Sequence, residues 1–348
     1  MFRQMESAGL QDLHFWQDPY SGLQAIIAIH DTFRGPAIGG CRFINYPDTA
    51  AAINDAIRLA KGMSYKAALA GLPHGGGKSV IIKPSGLHNR DLLMQSFGRF
   101  IESLGGRYIT AMDSGTQISD MDNIALSTRY VTCTQDMGDP SPSTARGVFA
   151  GIRASLQFRF GSSELDNIHI ALQGLGHVGW ALAKLLHTAG ARLSVTDIDP
   201  EKTERAKAEL GAVVVSPNEI YDVDADIFCP CGLGAIISPD TISRLQCSIV
   251  AGSANNQLAD DAMGEALYQR GILYAPDYLI NSGGLIFVAL QHAQHPEQAI
   301  QQKVSTIYDA LLELYKHAEA DQQSTSHIAD IRAEAILSQA SLEPHQVA

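Results

Sequence analysis

Residues 173–179 read QGLGHVG, and this stretch decides the fold. Its glycines, Gly174, Gly176 and Gly179, have the spacing G-x-G-x-x-G. The β-rich segment IHIALQ (168–173) precedes them, and an apolar segment of helical character follows from Val178. The next β-rich segment, RLSVTD, ends at Asp197, 23 positions after Gly174. A strand, a glycine turn, a helix and a second strand ending in an acidic residue together predict a βαβ unit that binds a dinucleotide.

Each position of this motif has a physical reason. The first glycine permits the tight turn, the second lets the main chain approach a pyrophosphate, and the third allows close packing of helix on strand. The helix N-terminus offers N–H groups to the phosphates. Asp197 can accept hydrogen bonds from both ribose hydroxyls and would repel a 2′-phosphate, which favours NAD over NADP. The predicted cofactor-binding residues here are Gly174, Leu175, Gly176, His177, Val178, Gly179 and Asp197.

Outward from the motif, strand-like and helix-like segments alternate as far as GILYAP (271–276). This alternation predicts a doubly wound parallel sheet. Residues 1–133 mix strands and helices less regularly, and GDPSPSTARG (138–147) is typical of a connection between domains. We therefore predict an α/β chain of two domains separated by a cleft. These are a mixed α/β first domain (1–133 plus 322–348) and a Rossmann-type NAD-binding domain (134–321).

Three local features add expectations. Ser143 or Thr144 is a candidate N-cap for a helix over 145–158. The spacing of Ile53, Ile57 and Ala60 predicts a helix over 49–62, ended by Gly62. A helix over about 297–316 carries an apolar stripe, predicted to pack between the domains or against the first one. The stripe consists of Ile300, Val304, Ile307, Leu311 and Leu314.

Composition limits the kinds of partner. The chain has 348 residues and a formal net charge of −12, which argues against nucleic acid and anionic membranes as partners. No signal peptide and no run of about 18 apolar residues is apparent, so a cytoplasmic protein is expected. The five cysteines lack the spacing of a disulfide framework. Cys229 and Cys231 form C-P-C, interpreted as two small residues in a tight loop, and no metal site is predicted.

Residues 71–79, GLPHGGGKS, look like a phosphate-binding P-loop but do not fit that motif. The motif G-x-x-x-x-G-K-[ST] needs a glycine where Leu72 stands, and a β-branched segment, not a helix, follows Lys78. We interpret the three glycines as clearing space for a ligand beside Lys78. A lysine in such a pocket, with Lys66 as a second cation, can lose its proton near neutral pH. One lysine would anchor a carboxylate and the other would transfer protons.

Several stretches together resemble the amino acid dehydrogenase family of leucine, valine, phenylalanine and glutamate dehydrogenases, most closely the leucine dehydrogenase branch. The resemblance covers nearly the whole chain and implies that the first domain (1–133 plus 322–348) is the substrate-binding and oligomerisation domain. It rests on GPAIGGCR (35–42), KGMSYKAALAGLPHGGGKSVI (61–81), YITAMDSGT (108–116), the hinge at 138–148, QGLGHVG, AGSANNQL (251–258) and YAPDYLINSGGLI (274–286).

The resemblance assigns a role to each matching residue. Lys78 would be the catalytic base and Asp113 its acidic partner, while Lys66 would bind the substrate α-carboxylate with Gly39, Gly40 and Met63. Thr144, Asn255 and Asn256 would orient the nicotinamide, and Cys229, which stands where the family has an alanine, is counted with the cofactor-binding residues. The side-chain pocket would be formed by Ile38, Ala111, Leu285 and Val288.

The implied reaction is the NAD-dependent, reversible oxidative deamination of an L-amino acid to the 2-oxo acid and ammonia. Branched-chain substrates are expected because the pocket residues are apolar. An aromatic substrate, phenylalanine or tryptophan, is the first alternative, kept open because a small residue such as Ala111 can widen a pocket and because Phe287 departs from the family pattern near the pocket segment. Met112 is a further departure from that pattern. A non-catalytic NAD-binding sensor is the alternative of another class. Only small molecules are expected as partners, within a homo-oligomer (a dimer or an octamer).

Overall fold

The computed structural model describes residues 1–86, 89–232 and 234–342. The chain forms two compact units, Met1–Asp139 with Val288–Pro296 and Ala333–Ala348, and Pro140–Phe287 with Glu297–Arg332. These bounds differ from the expected division at 133 and 322. The segment 288–296 belongs to the first unit, and the C-terminal return begins at 333. The last six residues of the expected first domain, 343–348, lie outside the described residues.

The first unit contains a five-stranded sheet with helices packed on it. Its elements in chain order are α1 (Phe2–Ala8), β1 (Asp12–Asp18), β2 (Leu23–Ile29), β3 (Ala37–Ile44), α2 (Thr49–Leu69), β4 (Gly75–Ile82), α3 (Arg90–Glu102), β5 (Tyr108–Met112) and α4 (Ile118–Ala125). The strand order is β1-β2-β4-β3-β5. β3 pairs in parallel with β4 on one side and with β5 on the other, so residues of all three strands share one end of the sheet.

Helix α2 is longer than its sequence pattern predicts. Gly62 does not end it, and the helix continues to Leu69. Glycine in an exposed helix costs only about 1 kcal/mol relative to alanine. That cost is offset because Ser64, Tyr65 and Ala67 continue the buried face beyond it. The extension carries Met63 and Lys66, two of the predicted substrate-binding residues.

The second unit contains a six-stranded, wholly parallel sheet in the order β11-β10-β9-β6-β7-β8. The strand order reverses between β6 and β9, which is the switch point where doubly wound sheets bind their ligands. This confirms the predicted Rossmann-type sheet. Its strands are β6 (His169–Gln173), β7 (Arg192–Thr196), β8 (Val213–Val214), β9 (Ile227–Pro230), β10 (Ile249–Val250) and β11 (Leu273–Tyr274).

Helices surround this sheet, and two of them continue into segments of the first unit. They are α5 (Ser141–Phe160), α6 (His177–Thr188), α7 (Pro200–Leu210), a 3₁₀ turn (Glu219–Asp222), α8 (Pro239–Ile242), α9 (Ala262–Gln269), α10 (Asp277–Ile280), α11 (Gly283–His292), α12 (Glu297–Ser305), α13 (Ile307–Asp321) and α14 (Thr325–Leu342).

Two helix predictions for this unit are wrong. Ser143 and Thr144 are not N-caps, because α5 begins at Ser141 with Pro140 at the cap and a second proline in the first turn. Proline fits there since the first turn needs no N–H donors. The helix over 297–316 is two helices, α12 and α13, interrupted at Thr306.

The apolar stripe of α12 and α13 is buried as expected, but within the second unit. It packs on α5. A side chain added at Gly147 or Gly151 of α5 would lie 2.8 Å from a methyl carbon of Ile307 or Leu311, respectively. The two glycines thus allow α13 to approach α5 closely.

Candidate active site

Lys78 and Asp113 form an ion pair at the sheet of the first unit. Lys78 lies in the middle of β4, only 6% exposed, and Asp113 directly follows β5. The Nζ of Lys78 donates a hydrogen bond to Asp113 Oδ2. The two residues therefore meet across β3, the strand that separates β4 from β5.

The glycine pair of β3 makes this meeting possible. A Cβ atom on Gly40 would lie 2.7 Å from Asp113 Cβ, and one on Gly39 would lie 1.7 Å from the Gly77 carbonyl oxygen. Real Cβ atoms do not approach so closely, so any side chain here would push the Lys78–Asp113 pair or the neighbouring strand away. The pair Gly39–Gly40, expected to contact the substrate carboxylate, thus also positions Lys78 and Asp113.

The triple glycine before Lys78 is not a loop, and it does not clear space for a ligand. Gly75, Gly76 and Gly77 are buried residues of β4. Added Cβ atoms would lie 1.8 Å from the Asp31 carbonyl oxygen, 2.0 Å from the Ser64 amide nitrogen and 2.8 Å from the Tyr108 ring, respectively. The three glycines let neighbouring elements pack against β4. The approach at Ser64 brings α2, which carries Lys66, against the strand that carries Lys78.

Asp113 is held in its charged form. Burial by itself would raise the pKa of this carboxyl, but Lys78 and Arg42 outweigh that effect and lower the pKa to about 2. The Ser114 amide donates to Oδ1 at 2.7 Å, and the Asp113 amide donates to Thr116 Oγ1 at 2.9 Å. The carboxylate is therefore ionised at neutral pH and fixed in orientation.

Arg42 is a residue of this site that the sequence motifs did not single out. Its Nε lies 3.6 Å from Asp113 Oδ2, and its Nη1 donates to Asp55 Oδ2 at 2.7 Å. Tyr46 donates to the same Asp55 oxygen at 2.7 Å. The one signal for Arg42 in the sequence is its position two residues after Gly40. Its contact with Asp113 depends on the β3–β5 register, which no single stretch of sequence reveals.

Replacing Arg42 with glutamine is expected to destabilise the protein in a pH-dependent way. At pH 7 the loss should be about 1–3 kcal/mol, since charged hydrogen-bond partners are removed. The folded-state pKa of Asp113 is lowered from 3.8 to about 2. The stabilisation from its charge is therefore complete above about pH 3.8 and is lost as the pH falls towards about 2. The difference between Arg42→Gln and the parent protein should shrink over that range.

Urea unfolding of both proteins between neutral and acidic pH measures this difference. Arg58→Gln is the matched control, because Arg58 pairs with the other oxygen of Asp55 at 3.1 Å and is mostly exposed. It should cost less than Arg42→Gln at pH 7. A difference for Arg42→Gln that stays constant with pH would contradict the role of Arg42 beside Asp113.

The remaining substrate-site candidates lie as follows. Met63 and Lys66 are partly buried on α2. Ala111 pairs with Gly40 in the β3–β5 register and is buried, whereas Ile38 is completely buried and exposes no surface. Val288 is buried in the first unit and Leu285 in the second.

The turn after β6 has the geometry that a dinucleotide needs. Gly174 has a φ of +98°, and an added Cβ on Gly179 would lie 2.0 Å from the Gly174 carbonyl oxygen. Gly176 has open space where its side chain would be. It caps α6 without a side-chain hydrogen bond, so the first-turn N–H groups of the helix can bind an anion. His177 is exposed, as expected, and Val178 is partly buried.

Asp197 lies beside this turn. Its Oδ2 accepts a hydrogen bond from the Leu175 amide at 2.6 Å, and its Oδ1 accepts one from the Asp199 amide at 2.9 Å. Lys202 Nζ lies 3.7 Å from Oδ1, a cation that the sequence motif did not indicate. These residues fit a dinucleotide with its pyrophosphate at α6 and a ribose at Asp197.

The other cofactor candidates differ in how much surface they offer. Asn255 and Asn256 are exposed, and Asn281 Nδ2 donates to Asn255 Oδ1 at 2.8 Å. Thr144 is partly buried and donates to the Pro140 carbonyl at 3.2 Å. Cys229 is completely buried in β9, so its side chain has no surface to offer a cofactor.

Residues 1–86, 89–232 and 234–342 contain neither a metal-binding cluster nor a membrane-spanning helix. Within these ranges no three His, Cys, Asp or Glu side chains lie close enough to hold a metal ion. No helix in the same ranges is long and apolar enough to cross a membrane.

The chain is similar to known proteins over most of its length. Residues 13–130 match the family model of the Glu/Leu/Phe/Val dehydrogenase dimerisation domain, and residues 194–341 match that of Glutamate/Leucine/Phenylalanine/Valine dehydrogenase. Leucine dehydrogenase of Thermoactinomyces intermedius is 47% identical over 338 residues, which are 96% of this chain and 92% of the relative. Phenylalanine dehydrogenase of Bacillus thermotolerans is 44% identical over 325 residues, 91% of this chain and 85% of the relative.

A solved structure is similar along the whole chain. The crystal structure of L-tryptophan dehydrogenase from Nostoc punctiforme superposes with a TM-score of 0.87 at 42% identity, covering 98% of this chain and 100% of that chain. Relatives named for three different amino acids are thus similar to this chain over most of its length. The chain belongs to the Glu/Leu/Phe/Val dehydrogenase family, a family of NAD(P)-dependent amino acid dehydrogenases.

Proposed function

We propose that this protein catalyses the reversible oxidative deamination of an apolar L-amino acid with NAD. The observation that carries the proposal is the ion pair between buried Lys78 and partly buried Asp113, set at the glycine pair of β3. A buried lysine paired with a partly buried carboxylate, in a chain of the amino acid dehydrogenase family, supports a role of this pair in proton transfer. The net reaction converts the amino acid, NAD⁺ and water to the 2-oxo acid, ammonia, NADH and a proton.

Each residue of the proposed site has a separate role in the reaction. Lys66 holds the substrate α-carboxylate by its charge. Bound NAD supplies the acceptor for the hydride that leaves the α-carbon. The Lys78 amine takes a proton from the water that adds to the resulting imine. Asp113 keeps Nζ in place and relays protons to and from the substrate nitrogen as the carbinolamine releases ammonia.

We propose that the substrate is an amino acid with a branched aliphatic side chain. The pocket candidates Ala111, Leu285 and Val288 are apolar and offer no cation for an acidic side chain. The leucine dehydrogenase of Thermoactinomyces intermedius supports this choice at 47% identity. The tryptophan and phenylalanine dehydrogenases, at 43% and 44%, support an aromatic substrate as the second candidate.

A panel of L-amino acids, assayed with NAD at the NADH absorbance band, tests the proposal. Leucine, valine and isoleucine should give the highest kcat/KM, with phenylalanine and tryptophan as the comparison. Higher values for the aromatic substrates would replace the branched-chain assignment. NAD binding without turnover of any amino acid would indicate the sensor instead of the enzyme.

Replacing Asp197 with serine is expected to shift the cofactor preference towards NADP. The change removes the charge that repels a 2′-phosphate and leaves Lys202, now 3.7 Å from Asp197, to bind it. The ratio of kcat/KM for NADP to that for NAD should rise at least about tenfold, equivalent to about 1.4 kcal/mol.

Asp199→Asn is the control for the loss of one negative charge nearby. Asp199 caps α7 by accepting a hydrogen bond from the Glu201 amide at 3.0 Å, and asparagine can keep that cap. The control should leave the ratio near that of the parent protein. An equal change in both variants would show that the general charge, and not Asp197, sets the preference.

We also propose that the protein is a homo-oligomer, either a dimer or an octamer, and that it acts in the cytoplasm. The match of residues 13–130 to a dimerisation-domain model supports the assembly. The five cysteines are all free thiols, which supports a reducing compartment. Light scattering of the purified protein measures the assembly, and a monomer would contradict it.

A further inference from the structure

A pair of thiols lies at the switch point of the parallel sheet. Cys229 lies in β9, where it pairs with Leu172 of β6, and its side chain is completely buried. Cys231, two residues on, is half-buried. Their sulfur atoms are 3.7 Å apart. No step of the proposed reaction uses either thiol.

Cys231 also forms part of the support of the glycine turn after β6. Its amide donates to the Gln173 carbonyl at 2.7 Å. A Cβ on Gly174 would lie 2.9 Å from the Cys231 carbonyl carbon, and one on Gly179 would lie 3.3 Å from Cys231 Cβ. A displacement of Cys231 is therefore transmitted to the turn that faces the pyrophosphate.

From this geometry we infer that Cys229 and Cys231 are a redox modification site, and that a disulfide between them weakens NAD binding. A disulfide requires the sulfurs to be about 2.05 Å apart. The two atoms must therefore approach by about 1.7 Å from the observed separation. Cys229 is fixed between two strands, so Cys231 makes the movement and the glycine turn shifts with it. The effect on NAD depends on the proposed role of residues 174–179, whereas the disulfide itself does not.

Cys231 is the thiol that reacts first. It is the more exposed of the two. A hydrogen bond from the Cys229 thiol lowers the pKa of Cys231 although burial opposes this, and hydrogen bonds from Ser253 add to the lowering. A lower pKa increases the fraction of the nucleophilic thiolate.

Hydrogen peroxide is an oxidant small enough for this position, and its reaction balances. The Cys231 thiolate attacks one peroxide oxygen, the O–O bond breaks, and Cys231 sulfenic acid and hydroxide form. The Cys229 sulfur then attacks Cys231 Sγ, the S–O bond breaks, and water leaves. The two thiols together lose two electrons, and one peroxide becomes two waters. A dithiol reductant reverses the change by thiol–disulfide exchange.

Mass spectrometry and calorimetry of the full-length protein test the inference. Trypsin yields a peptide, residues 208–244, whose only cysteines are Cys229 and Cys231. After peroxide treatment this peptide should be lighter by two hydrogens, and the Kd for NAD should rise about tenfold. Dithiothreitol should restore both. A peptide of unchanged mass, or a disulfide that leaves the Kd unchanged, would overturn the inference.

Two variants assign the effect to this pair. Cys247→Ala removes another buried thiol and should keep both responses. Cys231→Ser, compared with its own untreated sample, should lose both, and a peroxide-dependent change of its Kd would contradict the assignment. Untreated protein that does not bind NAD would contradict the proposed function, while the peptide mass still tests the disulfide separately.

Discussion

Replacing Lys78 with alanine is expected to abolish turnover and to leave NAD binding intact. The amine is the proposed base, and a positioned acid or base contributes roughly 10²–10⁴-fold to an enzymatic rate. The predicted NAD turn lies in the second unit, on other strands, so the Kd for NAD should stay the same. kcat from the NADH absorbance and the Kd from calorimetry measure the two effects. Turnover within tenfold of the parent protein would show that Lys78 is not the base.

Lys78→Ala removes both the proposed base and the positive charge nearest to the Asp113 carboxylate. The effects of these two losses have to be separated. Lys78→Arg makes this distinction. Its guanidinium can still pair with Asp113 but cannot lose a proton in a protein. It should therefore be more stable in urea than Lys78→Ala and equally inactive. Lys83→Ala, which removes an exposed lysine just after β4, is the control and should keep full activity.

The second large effect is expected at Gly76, where an alanine should destabilise the first unit by at least about 3 kcal/mol. Its Cβ would lie 2.0 Å from the Ser64 amide nitrogen and 2.4 Å from Ser64 Oγ. The first of these atoms belongs to the main chain of α2, so no side-chain rotation can relieve the contact. The midpoint of urea unfolding measures the loss.

Gly62→Ala is the matched control, because Gly62 lies on α2, the helix against which Gly76 of β4 packs. Nothing lies within 4 Å of a Cβ added there, so alanine should stabilise α2 by up to about 1 kcal/mol. Opposite signs for the two glycine-to-alanine changes would establish that close packing, not general loss of flexibility, fixes Gly76. Equal small effects would contradict the packing of α2 on β4.

The second unit could be predicted well because its signals are local. The glycine turn, the alternating segments and Asp197 each lie in one short stretch of sequence. The first unit was harder to predict because its glycines are required by neighbours that are distant in the sequence. From the sequence alone, Gly75–Gly77 are interpreted as clearing space for a ligand, whereas Asp31, Ser64 and Tyr108 are the neighbours that require glycine there.

The same limit applies to the site itself. Lys78 and Asp113 could be predicted because each lies in a recognisable motif. Arg42 could not, since its approach to Asp113 follows from the pairing of Cys41 with Met112 between β3 and β5. Similarly, the contact of Cys231 with Gly174 exists only because β6 and β9 are neighbours in the sheet. Registers and strand neighbours of this kind are not encoded in any single segment.

The position of Lys78 within a strand also bears on motion during a reaction cycle. Its main chain pairs with Ala28 of β2 on one side and lies beside β3 on the other. The backbone there cannot swing towards or away from a ligand without opening a five-stranded sheet. The amine must therefore travel by rotation about its own methylene bonds, so its reach is set by side-chain torsions and not by the hinge of a mobile loop.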